Sequence, residues 1–302
     1  MAAAVVKSEQ AGIIYGIAAM LAWSLSLLYW KMLLPVGPLV IILYRVVTMA
    51  FVMFVVCLFR GEFAKMKKNL TPKLVGSLFI SGLLITGTWL ITIVGAAGAE
   101  VVQVSLGYFI EPLMVAAAGI VVFHEKLTVH KLIAFVLVFV GAGVMVFAYG
   151  GLPKLAFLLA VIYTAYAIIK KKQKTAETTA VFLESALLVP IVLPVLLFYE
   201  YRGDGLFALG DTKLIALMCF AGIVTATPIM LFSLAARRIE MVALGFISYI
   251  DPTVVLIIGL TAFGEKLTNA KLAGLLVIVA ALFVFSLGSL RKKQACIGTG
   301  PA

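Results

Sequence analysis

Two acidic residues lie at the centres of long apolar segments. Glu111 is the twelfth residue of an apolar span at 100–123, and Asp251 is the eleventh residue of a span at 241–263. An ionisable side chain is costly in the middle of a bilayer, so such residues are candidate binding sites. We expect both acids to bind an ammonium group or a proton. The alternative is a protonated acid that donates one hydrogen bond between helices.

A proline follows each acid directly, as Pro112 and Pro252. Proline has no amide hydrogen and frees a carbonyl one turn earlier in a helix. An unwound helix beside an acid is a recurring way to bind a cation. The pattern therefore predicts helix breaks at both prolines and a third at Pro228. Beside Pro228, Thr225 and Thr227 either offer hydroxyls to the site or pack as ordinary small residues.

Three further charged residues lie within apolar spans. Arg45 is the eighth residue of the span at 38–59, about 10 Å inside its end. It binds a substrate carboxylate, pairs with an internal acid, or extends its head group towards water. We expect Glu184 to pair with the basic cluster that begins at Lys170, either as a gate or as plain scaffold.

The two acids belong to an internal repeat. Residues 73–132 align without a gap with residues 213–272 and are identical at 17 of the 60 positions. In this alignment Glu111 matches Asp251. Each half holds five spans, and an odd number makes the halves inverted. Inverted repeats place a binding site at mid-membrane and let it face each side in turn. The predicted segments are an N-terminal tail at 1–10, the first repeat at 11–149, the second at 150–289 and a C-terminal tail at 290–302.

Neighbours of the acids complete the predicted site. Three-residue spacing places Tyr108 on the helix face of Glu111, and Ser248 on that of Asp251. The first spans of the two halves align more faintly, with Trp23 over Tyr163 and, beside them, Ser24 over Thr164. We expect Trp23 and Tyr163 to line the cavity, although aromatic residues in membrane helices are also common packing residues and interfacial anchors.

Composition identifies the elements that carry these residues. The chain is 64% hydrophobic and 12% charged, far from the values of soluble domains. Backbone groups inside a bilayer must bond within their own segment, so the spans are predicted to be helices of an all-α integral membrane protein. The ten predicted helices lie at 11–30, 38–59, 74–95, 100–123, 130–148, 155–170, 179–199, 214–235, 241–263 and 270–289.

The basic residues give an orientation rather than a nucleic-acid site. Of the Lys and Arg residues outside the spans, 17 fall on the side of the two termini and 6 on the other, so both termini should be cytoplasmic. The expected partners are the lipid bilayer, a small-molecule substrate and, as one alternative, protons. Cys57, Cys219 and Cys296 show no metal or disulfide spacing, and no cofactor is expected.

Several segments give a specific resemblance. They are LAWSLSLLYWK at 21–31, SLGYFIEPL at 105–113, GIVTATPIMLFSLAARRI at 222–239 and GFISYIDPT at 245–253. The chain resembles the RarD family of EamA-type proteins in the drug/metabolite transporter superfamily. The resemblance implies ten helices in two EamA repeats, a cavity between helices 1, 3, 4, 6, 8 and 9, a bacterial inner membrane, and export or exchange of small solutes. The family pattern usually has Asn at Glu111 and often a small residue at Asp251. These two departures indicate a cationic or zwitterionic substrate, or proton coupling.

The resulting hypothesis is a secondary transporter, an exporter or exchanger of small polar metabolites such as amino acids or organic cations. An uncoupled facilitator with the same fold is the main alternative. An intramembrane enzyme has least support, because the sequence lacks HExxH, GxSxG and nucleotide-loop motifs. The repeated EKLT segments at 125–128 and 265–268 predict interfacial charges followed by helix N-caps at Thr128 and Thr268.

Overall fold

The computed structural model describes residues 2–33, 35–97 and 101–262, together with residues 276, 280, 283 and 284. These ranges contain twelve α-helices, one 3₁₀ turn at Phe207–Leu209 and no strand. The helices are α1 (Ala2–Met32), α2 (Pro38–Phe59), α3 (Glu62–Asn69), α4 (Pro72–Ala97), α5 (Val101–Val121), α6 (Val129–Tyr149), α7 (Lys154–Lys172), α8 (Glu177–Ala186), α9 (Val189–Tyr201), α10 (Thr212–Ala236), α11 (Met241–Ser248) and α12 (Ile250–Ala262).

The membrane-crossing helices follow the predicted spans closely. Within the described residues, seven segments are long and apolar enough to cross a bilayer, and α8 with α9, bent by 49°, would make an eighth. One of the seven joins α11 to α12. Helix α7 fills the sixth predicted span, but Lys170–Lys172 shorten its apolar part. The all-helical membrane fold is confirmed. The count of ten stays a prediction, because only residues 276, 280, 283 and 284 of the span at 270–289 are described.

Two of the predicted helix breaks are wrong. Helix α5 continues through Pro112, and α10 continues through Pro228. A proline removes only one amide donor, and the adjacent turns of a membrane helix keep their own bonds. In the second repeat a break does occur, at Tyr249, whose amide donates to the Phe246 carbonyl in a tight turn. It precedes Pro252 by three residues, which is the turn that a proline ring disturbs.

Helix α3 is an element that the sequence did not reveal, since its segment lies between the predicted spans at 38–59 and 74–95. Phe63 packs against Phe182 with 5.7 Å between ring centroids. Glu62 accepts hydrogen bonds from Thr178 and, at 2.8 Å, from Thr179. Burial alone would raise the pKa of Glu62, but these hydrogen bonds and nearby Arg60 outweigh it and lower the pKa below its ordinary value. The short helix is therefore fixed to the start of α8.

Glycine allows the two repeats to touch at their centres. A side chain on Gly245 of α11 would meet the Pro112 carbonyl oxygen at 2.6 Å and the Ala116 amide nitrogen at 2.7 Å, both on α5. Gly222 of α10 likewise lies against the Thr48 carbonyl of α2. Small residues at such crossings let membrane helices pack backbone to backbone.

We expect Gly245→Ala to lower stability strongly, by about 1–3 kcal/mol or more, since a rigid backbone on α5 cannot yield. Gly143→Ala in α6 is the matched control, because nothing lies within 4 Å of its added methyl group. Thermal unfolding in detergent measures both. Equal melting temperatures for the two variants would contradict the close approach of α5 and α11.

Candidate functional site

A cavity of about 310 Å³ lies between the two repeats. Its walls come from α1, α2, α4, α5, α7 and the α11–α12 span. On each helix the lining residues extend from the middle towards the same end of the bundle. We call this the mouth end; it holds the C-terminal ends of α1, α4 and α12 and the N-terminal ends of α2, α5 and α7. The volume suits one small molecule.

Most of the predicted site residues meet at this cavity. Those that line it are Trp23, Arg45, Tyr108, Glu111, Pro112, Tyr163, Ser248, Asp251 and Pro252. Pro228, Lys170 and Glu184 do not line it. The helix set implied by the resemblance needs one correction, because α2 contributes to the wall and α10, the eighth span, does not. Helix α10 packs against α1 and α2 and is linked to the cavity through Thr225, which bonds to Arg45.

The two acids have different surroundings. The Ser24 hydroxyl oxygen on α1 lies within hydrogen-bond distance of Asp251 Oδ1, at 2.7 Å, and of the Met20 carbonyl, also at 2.7 Å, so its single proton is donated to one of them at a time. The Glu111 carboxylate makes no hydrogen bond or ion pair with any residue in the described ranges. Serine is frequent in membrane helices, and the repeat alignment, which matched Ser24 with Thr164, did not identify Ser24 as the partner of Asp251. The described residues hold no group of three His, Cys, Asp or Glu side chains suited to a metal ion.

Arg45 lies between two indole rings. Its guanidinium carbon is 4.2 Å from the Trp30 ring centroid and 3.9 Å from that of Trp89, and its Nε donates to Thr225 Oγ1 at 3.3 Å. Both rings stabilise the cation by cation–π contact. An internal ion pair was one of three alternatives for Arg45, and among the described residues no carboxylate lies within ion-pair distance of it. A guanidinium held in this way can present two parallel N–H groups to an anionic ligand.

Three residues with hydroxyl groups, Thr92, Tyr108 and Ser248, line the wall near the acids. The Tyr108 and Thr92 hydroxyl oxygens are 3.2 Å apart. Ser248 donates its proton to the Leu244 carbonyl at 2.9 Å, so it offers only lone pairs to a ligand.

Four aromatic side chains, Trp23, Tyr163, Tyr166 and Phe232, form the floor of the cavity. Phe232 lies 5.5 Å from Trp23, 5.6 Å from Tyr163 and 6.0 Å from Tyr166 between ring centroids, with the last pair stacked. The Tyr166 and Phe232 side chains are fully buried. This aromatic floor separates the cavity from the opposite end of the bundle.

Charged contacts hold that opposite end closed. The Glu125 carboxylate accepts from the Met241 amide at 2.7 Å and the Val242 amide at 2.9 Å, the first amides of α11. Lys171 lies 3.5 Å from the same carboxylate. Glu125 was predicted as an interfacial charge, and it also caps a helix of the other repeat, a contact that was not predicted. Thr128 occupies the N-cap of α6 but makes no side-chain capping bond; Thr268 lies outside the described residues.

Lys170 and Glu184 form a buried ion pair with a 2.6 Å separation, with side chains 0% and 1% exposed. Ser81 of α4 donates to the other carboxylate oxygen at 2.7 Å. The three residues connect α7, α8 and α4 away from the cavity.

Comparison with known proteins identifies the family. The model of the EamA-like transporter family matches this chain twice, at residues 10–147 and 154–287. The chain belongs to this family. As a family member it is 32% identical over 291 residues to the uncharacterized transporter YojE of Bacillus subtilis (strain 168), covering 94% of this chain and 96% of that protein. It is 28% identical over 289 residues to protein RarD of Escherichia coli (strain K12), covering 95% and 98%.

These relatives confirm the RarD and EamA resemblance. One solved crystal structure matches this EamA-family chain with a TM-score of 0.70 at 17% identity, and the match covers 92% of this chain and 98% of the other. At that identity the likeness concerns the fold alone. The protein is an integral membrane protein of a transporter family.

Proposed function

We propose that this EamA-family protein is a secondary transporter that exports or exchanges small polar metabolites with an amino group, such as amino acids or organic cations. The observation that carries the proposal is the pair of acids. Glu111 and Asp251 hold equivalent positions in the two repeats and line one cavity that is closed below by the aromatic floor. Carboxylates at mid-membrane suit an ammonium group or a proton.

Transport follows from the exchange of two states. In the state described here, a solute enters from the mouth end and places its ammonium group beside Glu111 and Asp251, with any anionic group at Arg45. The aromatic floor and the Glu125 contacts must then separate while the mouth end closes. A proton that replaces the ammonium group on the acids would couple the two fluxes.

The proposed location is the bacterial inner membrane, with both termini in the cytoplasm. The excess of basic residues on the membrane side that holds the two termini supports this orientation. The mouth end would then face outward, and the end closed by Glu125 would face the cytoplasm.

Purified protein in liposomes with a trapped pH-sensitive dye tests the proposal. Amino acids, polyamines, organic cations and organic acids are added one at a time, and empty liposomes are the control. We expect saturable proton flux that depends on an amine-bearing solute. Saturable solute exchange without proton movement would refute proton coupling but would still support a transporter. Non-saturable solute movement without counter-flow would replace it with an uncoupled facilitator.

Arg45→Lys separates the two charged parts of the site. We expect this variant to lose roughly 10- to 100-fold in apparent affinity for solutes with both an amino and a carboxylate group, since lysine cannot bond bidentately or stack between two indoles. Affinity for amines without a carboxylate should stay unchanged. Arg202→Lys, at an exposed position, is the matched control. Equal losses for both solute classes would contradict a role for Arg45 in binding the anionic group.

A further inference from the structure

The two repeats build the same helix interface twice. Gly107 of α5 lies against Ala156 of α7, where an added methyl group would be 3.3 Å from the Ala156 Cα. At the positions 140 residues away, Gly16 of α1 lies against Ile247 of α11, with a contact of 3.2 Å. The α5–α7 and α11–α1 interfaces therefore share a contact between positions that the repeat alignment makes equivalent.

Each interface carries one hydroxyl and one acid. In the repeat alignment Ser24 matches Thr164, and Glu111 matches Asp251. The pair of Ser24 and Asp251 is therefore equivalent to the pair of Thr164 and Glu111. Only one of these two pairs is bonded. Ser24 is within hydrogen-bond distance of Asp251 at 2.7 Å, whereas the buried Thr164 hydroxyl has no hydrogen-bond partner in the part of the chain that the structure describes. Glu111 also has no bonded partner among the described residues.

An unbonded buried hydroxyl is rare in folded proteins and needs an explanation. Thr164 could donate to the carbonyl one turn earlier in α7, as Ser24 can to the Met20 carbonyl at 2.7 Å, but it does not. The Thr164 residue is 7% exposed, so water offers little compensation. Ser24, which matches Thr164 in the repeat, shows what such a hydroxyl can do in this fold. It bonds to Asp251, the mid-membrane acid on the neighbouring helix.

We propose that the Ser24–Asp251 and Thr164–Glu111 hydrogen bonds form alternately, the first when the cavity opens at the mouth end and the second when it opens at the opposite end. The inference rests on the alternating access of the proposed function. Inverted repeats that rock about a central site exchange their local arrangements between the two states. Ser24 and Thr164 are thus positioning residues, each of which orients one acid in one state.

The proposal predicts opposite effects for two similar substitutions. Ser24→Ala removes a bond of the state described here and should shift the protein towards the other state. Thr164→Val removes a bond of the other state and should shift it in the reverse direction. Each shift should be roughly 5-fold, the contribution of one ordinary hydrogen bond. If these hydroxyls were purely structural, both substitutions would lower stability, and they would not shift the balance between the two states in opposite directions.

Cysteine labelling in lipid nanodiscs measures the shifts. Cys57, Cys219 and Cys296 are replaced, and one reporter is added at a time, either Ser26→Cys in the cavity wall or Ser233→Cys in the buried part of α10. We expect a water-soluble maleimide to label the first reporter faster. Ser24→Ala should speed labelling at position 233 and slow it at 26, and Thr164→Val should do the reverse.

Further variants keep the test decisive. Thr164→Ser retains the hydroxyl and should behave as the unchanged protein, and thermal unfolding confirms that each variant is folded. Reciprocal labelling that neither Ser24→Ala nor Thr164→Val shifts would overturn the alternating bonds alone. Labelling of both reporters as fast as a fully water-exposed cysteine would indicate a continuous pore, since alternating states expose each reporter for only part of the time. That outcome would overturn the proposed transporter and the inference with it. No substrate is needed for either outcome.

Discussion

The double variant Glu111→Gln and Asp251→Asn is expected to lose substrate-driven proton flux by roughly 100-fold or more while its fold remains intact. An ammonium group in the cavity would have no counter-charge, and an unpaired charge away from water costs about 3–5 kcal/mol. The fold should survive because the replacements nearly keep the shape of each side chain and remove two costly acids from mid-membrane.

The same liposome assay measures this loss, together with each single variant. Glu200→Gln is the matched control. Glu200 is a carboxylate that does not line the cavity. It accepts hydrogen bonds from Tyr44 at 2.7 Å and from the Leu206 amide at 2.8 Å. We expect it to keep full coupling. Undiminished pH-driven transport in the double variant would refute the assignment of both acids.

Lys170→Met is expected to destabilise the protein by about 3–5 kcal/mol, because it leaves the Glu184 carboxylate buried without its cationic partner. Ser81 can compensate only partly, with a single hydrogen bond. The variant should unfold at a clearly lower temperature in detergent and accumulate poorly in membranes.

The paired variant Lys170→Met with Glu184→Met should recover most of that stability, since apolar side chains of similar size avoid burying any charge. If it also transports at the normal rate, the ion pair is scaffold. A stable double variant that no longer transports would instead make the pair part of the gate. Equal destabilisation by Lys170→Met and by the double substitution would contradict the energetic account.

Hydropathy was sufficient to locate most of the membrane helices. Helix α2, for example, begins at Pro38 and ends at Phe59, as predicted. The reason is physical, because a lipid-exposed segment must be apolar and must bond its own backbone. Helix α3 escaped prediction because its short polar sequence has no apolar span. Contacts with α8, such as that between Phe63 and Phe182, fix it, and these depend on tertiary packing.

The candidate site was only partly predictable. Glu111 and Asp251 were evident from sequence since acids are rare within apolar spans. The partners were not. Ser24 and Asp251 are 227 residues apart, and no local pattern joins them. Three alternatives were open for Arg45, and none of them included its contacts with Trp30 and Trp89, which depend on how α1, α2 and α4 meet in space.

The cavity wall has an optical consequence. The chain contains three tryptophans, Trp23, Trp30 and Trp89, and all three line the cavity. The intrinsic ultraviolet fluorescence of the protein therefore arises almost entirely from this one site. A solute that enters should change the emission intensity or wavelength directly, so unlabelled compounds can be screened and their affinities titrated with the native protein.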